Sequence, residues 1–363
     1  MPKKRIDQLL AGYADGDAIS SMAVTLRNIF REWGHPSDIY ADPRSTSPSL
    51  RADSRPLTEY RGAPTDICLH HYGIASKAAE VFCTVSAVRI MIYHNITPEN
   101  YFQGYDDTVQ AQLATARAQL PEIARSAAAV WTVSRFNADE LTAAGITKAQ
   151  VLPLPFDPAP LDIPPEPRIM QLFSGQRNCL KNILFVGRIA PNKRVEDLIT
   201  AFAWYNKTLN PFSRLLLVGS NRSAPRYYTM LRMLAGDLDL PNVCFEGFAA
   251  AASLAAYYRV ADLYVCPSEH EGYCLPLLEA MYRGVPVLAR QAGGMPEAMD
   301  GAGIMYDKLS APELAALMHQ AITDEPLRQT VVASQRARMQ REARRDIAAE
   351  VHKLLEEFNL NGI

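Results

Sequence analysis

Apolar residues recur along this chain in two alternating rhythms. Ile6 to Ala11 reads as a short strand, and after it Ile19, Met22, Ala23, Leu26, Ile29, Phe30 and Trp33 return at spacings of three and four, one face of a helix that Gly34 closes. The pattern repeats with strand at Ile67–His71, helix at Ala75–Phe82, strand at Val88–Tyr93, helix at Ala111–Ala124 and strand at Ala128–Val133. Seven prolines within Pro153–Pro167 interrupt both rhythms and predict an extended, stiff connection with no regular element. Beyond it the alternation restarts: strand Ile183–Gly187, helix Val195–Leu209, strands Leu215–Gly219, Val243–Glu246 and Leu263–Cys266, a helix from Pro276 and strand Pro286–Ala289. Strand and helix in strict alternation predict α/β architecture with parallel sheets, here two doubly wound, Rossmann-like domains in series at residues 1–170 and 171–345. Arg336–Phe358 reads as one long, charged helical stretch packing across the domains.

Composition narrows the functional classes. The chain has 363 residues, 48% of them apolar, enough for two cores. Lys and Arg (37) nearly balance Asp and Glu (39), so there is no basic field for a polyanion and nucleic acid is not expected as a partner. Cysteines 68, 83, 179, 244, 266 and 274 contain no C-x-x-C pair; neither a zinc site nor a redox motif is signalled, and reduced thiols suit a cytoplasmic chain. The basic start Met1–Arg5 lacks an apolar core after it, because Asp7, Gln8, Asp15 and Asp17 break it up, so no secretion is expected. No run approaches the roughly 18 apolar residues of a membrane span. Any membrane contact is therefore peripheral; Arg27, Arg31 and Trp33 are candidates for it, and a solvated helix face explains them equally.

In a doubly wound sheet, ligands bind where strands end and helices begin. The loops here hold neither G-x-G-x-x-G nor G-x-x-x-x-G-K-[ST], which removes the dinucleotide and P-loop readings. The segment from Pro267 to Met281 instead runs strand, glycine loop, helix. Pro276 suits a first helical turn, so the backbone N–H groups of Gly272, Tyr273, Cys274 and Leu275 are expected to face an anion. Glu271 and Glu279 bracket this loop and offer carboxylates to hydroxyls beside the phosphates, a description of a sugar nucleotide. The plainer alternative makes Glu279 a partner of the helix dipole and Glu271 a solvated loop carboxylate.

These residues carry a resemblance. The pair Glu271/Glu279 within E-G-Y-C-L-P-L-L-E-A-M, then R-G-V-P-V-L-A and Gly293-Gly294-Met295-Pro296-Glu297, resembles the donor-site signature of retaining glycosyltransferase family 4, which has the GT-B fold. Upstream, Phe185-Val186-Gly187-Arg188-Ile189-Ala190-Pro191-Asn192-Lys193 resembles the turn whose Arg and Lys bind the donor diphosphate in such enzymes. Gly16 and Asp17 stand where the family keeps a glycine-containing loop facing donor and acceptor; Asp17 is either an acceptor-side group or a helix N-cap. Tyr93-His94-Asn95-Ile96-Thr97-Pro98 is similar to a motif of bacterial members that build surface polysaccharides, and implies that His94 touches the donor sugar near its reacting carbon. One of His70 and His71 is expected to face the acceptor. Ser134-Arg135-Phe136 is read as structural, His270 as a loop histidine, His319 as an ordinary helix residue, and Asp237-Leu238-Asp239 as a solvated turn, not a metal motif.

The resemblance implies two Rossmann-like domains facing a central cleft, with a final helix at about 346–363 returning to the first domain. It also implies a metal-independent, retaining transfer of a hexosyl unit, mannose from GDP-mannose before glucose or another hexose from UDP, to a glycan or lipid-linked oligosaccharide. Arg188 and Lys193 would hold the diphosphate, Glu279 the ribose and Glu271 the sugar hydroxyls, with no cofactor. A synthase or phosphorylase of the same fold, and a non-catalytic sugar-nucleotide-binding subunit, are the competing readings.

Overall fold

The computed structural model describes residues 3–174 and 180–358; Cys179 and the end of the expected final helix, 359–363, lie outside the described residues. Contacts divide the chain into two compact units, one of Met1–Glu99, Gln110–Pro155 and Asp346–Ile363, the other of Asn100–Val109 and Phe156–Arg345.

The first unit is built on strands β1 (Ile6–Leu10), β2 (Ile39–Ala41), β3 (Arg55–Pro56), β4 (Ile67–Tyr72), β5 (Val88–Tyr93), β6 (Ala129–Thr132) and β7 (Ala149–Val151), in the spatial order β3-β2-β1-β4-β5-β6-β7 with every pairing parallel. All residues of β1 and β4 are buried, as expected of strands covered by helices on both faces. The helix Ala18–Glu32 forms because Asp17 caps it, accepting from the Ser20 N–H at 2.9 Å, and because Met22, Ala23, Leu26, Ile29 and Phe30 bury one face.

The second unit repeats the plan with β8 (Lys181–Val186), β9 (Ser213–Val218), β10 (Val243–Gly247), β11 (Leu263–Cys266), β12 (Val287–Arg290) and β13 (Ile304–Tyr306), ordered β10-β9-β8-β11-β12-β13 and again all parallel. Strand order reverses between β1 and β4 in one sheet and between β8 and β11 in the other. Loops leaving the carboxyl ends of those strands diverge there, and the divergence opens a crevice.

Several expectations change. The proline-rich connection is not wholly irregular: helices Ala159–Asp162 and Pro167–Phe173 occupy it, with proline in the first turn of each, where no N–H is missed. Both lie beside the helix Ala251–Val260, which is why the contact boundary falls at Pro155 and not at 170. The Arg336–Phe358 stretch is not one helix; Glu325–Glu342 ends and Ile347–Leu355 begins anew, capped by Asp346, and Trp33 meets His352 edge-on at 5.8 Å. Residues 100–109 group with the second unit because the Tyr101 hydroxyl donates to Glu269 at 3.3 Å and the Tyr105 ring meets Tyr227 at 5.3 Å. Of the residues suggested for a membrane face, Arg27 is buried against Asp53 at 2.8 Å, while the exposed Arg31 pairs with Asp38 at 3.0 Å and the half-buried Trp33 lies near Phe30. Among the described residues no helix is long and apolar enough to cross a membrane.

One tight approach fixes the β8 loop. Gly219, at the end of β9 with φ +151°, donates its N–H to the Gly247 carbonyl, and a Cβ there would stand 1.8 Å from the Gly187 carbonyl oxygen. Gly219→Ala is expected to destabilise the protein by at least about 2 kcal/mol, because backbone on both sides must move. Urea unfolding of the variant beside the parent measures it; an unchanged midpoint would contradict the constraint.

Candidate functional site

At the β8/β11 switch point two loops are stitched together through main chain and one buried amide. After β8 the chain passes Gly187 and an exposed Arg188, then makes a tight turn at Pro191–Lys193. Asn192, 3% exposed, donates from its side chain to the His270 carbonyl at 3.0 Å, while its own carbonyl accepts from the Glu269 N–H at 2.9 Å. This double bond of loop to loop sets Lys193 Nζ against the Glu271 carboxylate, a pair with side chains 13% and 10% exposed. Burial pulls the Lys193 ammonium pKa down, but Glu271 and Cys274 outweigh it and hold the pKa above the ordinary lysine value, so Lys193 is charged.

Glu271 is braced from a third loop. Gly294 N–H donates to the Glu271 carbonyl at 2.8 Å, and Gly293, with φ +56°, lies so close that a Cβ would come 2.3 Å from that same oxygen. Only glycine fits. Glu269 is gripped by Arg290 at 2.9 Å and approached by Arg194 at 3.8 Å, with the Tyr101 hydroxyl added. The loop ends at Cys274, which caps the helix Leu275–Tyr282 in a left-handed conformation, φ +82°. The left-handed residue of this loop is therefore Cys274.

Glu279 lies in the first turns of that helix, half-buried, and its Oε2 accepts from the Tyr258 hydroxyl at 2.7 Å. Burial raises its pKa above the usual carboxylate value, against the lowering effect of Tyr258. Tyr273 points the other way: its side chain is 3% exposed and its hydroxyl lies 3.4 Å from Arg338, which also pairs with Glu342 at 2.9 Å and donates to the Ala298 carbonyl at 3.1 Å. Tyr273 can offer a ligand only backbone. Leu275, the first helical residue, is half-buried.

In the first unit, His70 and His71 end neighbouring positions of β4 and face opposite sides of the sheet. Both are buried, 0% and 2% exposed. His70 bonds through Nδ1 to the Leu9 carbonyl at 3.0 Å and stacks near Phe82, a core position. His71 lies between Gln8 and His94, with Nε2 2.9 Å from Gln8 Oε1 and Nδ1 2.8 Å from His94 Nε2. The polarity of this chain follows from its anchor. Gln8 Nε2 donates to the Ala23 carbonyl at 2.8 Å, so Gln8 Oε1 is an acceptor and His71 carries its proton on Nε2. A neutral His71 then accepts at Nδ1, His94 Nε2 is the donor, and His94 Nδ1 keeps a lone pair. Burial, then the neighbouring His70, depresses the His94 pKa to about 3; burial, His94 and His70 push His71 well below the ordinary value. The corner after His94 is clamped by Glu140, which accepts from Tyr93 at 2.7 Å and Asn95 at 3.1 Å.

Asp17 is the N-cap of its helix, with Oδ2 accepting from Ser20 N–H and hydroxyl, both at 2.9 Å; the preceding Gly16 is exposed at φ +69°. Ser134 caps the helix Arg135–Ala143, and Asp237–Asp239 is the turn ending the helix Pro225–Asp237. Sequence reasoning passed over Asn192, Tyr258, Gln8, Arg290 and Glu269. Asn192 and Glu269 carried a signal, the one inside the Arg188–Lys193 turn and the other inside the Pro267–Met281 segment.

Comparison with known proteins fits this geometry. Residues 174–346 match the family model described as Glycosyl transferases group 1, a little under half of the chain and all but its last residue within the second unit. The chain is 38% identical over 110 residues to a GDP-mannose-dependent alpha-mannosyltransferase of Mycolicibacterium smegmatis, covering 30% of this chain and 25% of that protein. It is 31% identical over 145 residues to the serotype-specific mannosyltransferase WbdA of Escherichia coli, covering 39% and 18%. Across its curated relatives the chain spans from about a sixth to about two fifths of their length. Its fold matches that of Anabaena HepE, solved in complex with UDP-glucose, with TM-score 0.69 at 20% identity over 98% of this chain and 100% of the other. The architecture is thus α/β with two Rossmann-like domains of the GT-B type.

The buried histidines predict acid sensitivity. His70, depressed to about 4, and His71 stay neutral in the native state while the unfolded chain protonates near pH 6.5. The unfolded state then binds more protons, so stability is complete above about pH 6.5 and falls as the pH drops, by up to about 1.4 kcal/mol per unit for each histidine. Denaturant melts at pH 7 and pH 5 should show this loss, and His71→Phe should reduce its slope; a slope identical in parent and variant would refute it.

Proposed function

We propose that this protein is a retaining glycosyltransferase that moves a hexosyl unit, mannose from GDP-mannose in the first instance, to a hydroxyl of a glycan or lipid-linked glycan in polysaccharide biosynthesis. The observation that carries the reading is the pairing of Lys193 with Glu271 beside Arg188, at a strand-order reversal and next to a helix N-terminus. The location is where a nucleotide's phosphates bind in such sheets, and the residue types are those that phosphates and hydroxyls need. Kinship to two mannosyltransferases supports mannose.

On this reading Arg188 and Lys193 bind the donor diphosphate, assisted by backbone N–H groups of Gly272, Tyr273, Cys274 and Leu275. Glu279 accepts from the ribose hydroxyls and Glu271 from those of the sugar. His94, neutral at physiological pH, accepts at Nδ1 from a sugar hydroxyl near the anomeric carbon. The bond from that carbon to the diphosphate oxygen breaks as the acceptor oxygen bonds from the same face. The departing diphosphate takes the acceptor proton, and Arg188 and Lys193 stabilise its new charge without a metal. Gly187 and Gly16 keep the turns after β8 and β1 compact.

Lys193→Ala and Glu271→Ala are each expected to lower kcat/KM for GDP-mannose by about 10²–10³ in the presence of EDTA. Near-normal turnover in either would count against the assignment. In thermal denaturation the parent should be stabilised by one nucleotide sugar or its nucleoside diphosphate, by about 2.7 kcal/mol at a hundredfold excess over Kd. A UDP-sugar stabilising instead would replace mannose from GDP-mannose as the donor, and no response to any nucleotide would overturn the reading.

A further inference from the structure

The same loop contains a second, softer set of ligand atoms. Cys266 closes β11, and eight residues later the left-handed turn at Cys274 brings the chain back, so that the two Sγ atoms lie 3.8 Å apart. A non-glycine residue at φ +82° is costly and persists where its surroundings hold it. What the strained turn achieves here is the meeting of the two sulfurs. A Glu271 carboxylate oxygen completes a trio whose ligand atoms all lie within 4.8 Å of one another. Two sulfurs each about 2.3 Å from a tetrahedral zinc ion are about 3.8 Å apart, so the thiols need not separate to share one ion. Two thiolates with one carboxylate are a ligand set for zinc and not for magnesium or calcium, which take oxygen. Cys266 is buried, with Met295 Sδ 3.5 Å away, while Cys274 and Glu271 are half-buried.

We propose that Cys266, Cys274 and Glu271 form a binding site for a thiophilic divalent cation of the zinc class, and that filling it takes Glu271 away from Lys193 and turns the donor loop off. Binding displaces one proton from each thiol, and the ion's two positive charges are met by two thiolates and the carboxylate. Lys193, charged and stripped of its partner, then faces a dication across the loop. The ion-binding part stands on the sulfur and carboxylate geometry alone; the loss of donor binding rests on the function proposed above.

The test uses the full chain, stripped with EDTA and kept reduced. Equilibrium dialysis against zinc chloride should show one retained equivalent, and cobalt(II) in its place should give the near-ultraviolet thiolate-to-metal charge-transfer absorption. Cys266→Ser, checked for its melting temperature, should lose that absorption and weaken zinc retention on the order of tenfold or more. No retained zinc, or cobalt bound without thiolate absorption, overturns the site using the parent protein alone. Zinc retained with nucleotide-sugar binding unaltered overturns the switch. Absence of nucleotide-sugar binding in the zinc-free protein overturns the transferase reading and leaves the metal site standing.

Discussion

The second unit is arranged around one electrostatic requirement: Lys193 and Glu271 occupy a nearly desolvated position at the meeting of two loops, and neither tolerates it alone. A carboxylate so placed without a partner would cost several kcal/mol. The neighbouring structure reads as the means of keeping the two in register. Asn192 bonds both ways across the loops, Gly294 and Gly293 brace the Glu271 backbone, and Arg290 with Arg194 fixes Glu269 two residues away. Geometry held this firmly costs little to reorganise when a charged ligand replaces one ion's partner, and such preorganisation makes fixed charges effective.

The first unit meets its own requirement without charge. Gln8, His71 and His94 make a line of neutral groups in which each proton position dictates the next, starting from the Ala23 carbonyl. His71 is a positioning residue in this line, holding the tautomer and plane of His94, whose ring it stacks at 5.0 Å with 19° between planes. Both units thus gather polar groups in the neighbourhood of their order reversal, one as an ion pair and the other as a polarised hydrogen-bond chain.

The parallel sheets were legible because their central strands are largely buried and rich in apolar and β-branched residues: Val88–Tyr93 and Leu263–Cys266 stand where the pattern placed them. Strands β2, β3, β7 and β13, of two or three residues each, carry too few positions to show a period. The helix in the proline-rich connection was hidden because proline opposes helix in an interior but not in a first turn. At the site, charged residues within a contiguous motif could be found, Arg188, Lys193, Glu271 and Glu279 among them. Gln8, Tyr258 and Arg290 could not, since they come from distant strands and helices and acquire meaning only when the sheet brings them together. His70 and His71 differ for the simplest reason, alternation along β4, and sequence alone does not say which side of a strand is which.

The family model matches residues 174–346, almost all of them in the second unit. A nucleoside diphosphate presents the same charge and hydroxyls whatever sugar it carries. An acceptor imposes no such common shape. What the first unit does impose is polarity: with His94 neutral and its Nε2 proton given to His71, the remaining nitrogen offers a lone pair and no proton. Such a group binds the hydrogen of a hydroxyl and repels a phosphate oxygen. At this point the first unit offers a neutral hydrogen-bond acceptor, whereas the loop of the second carries the charged Lys193.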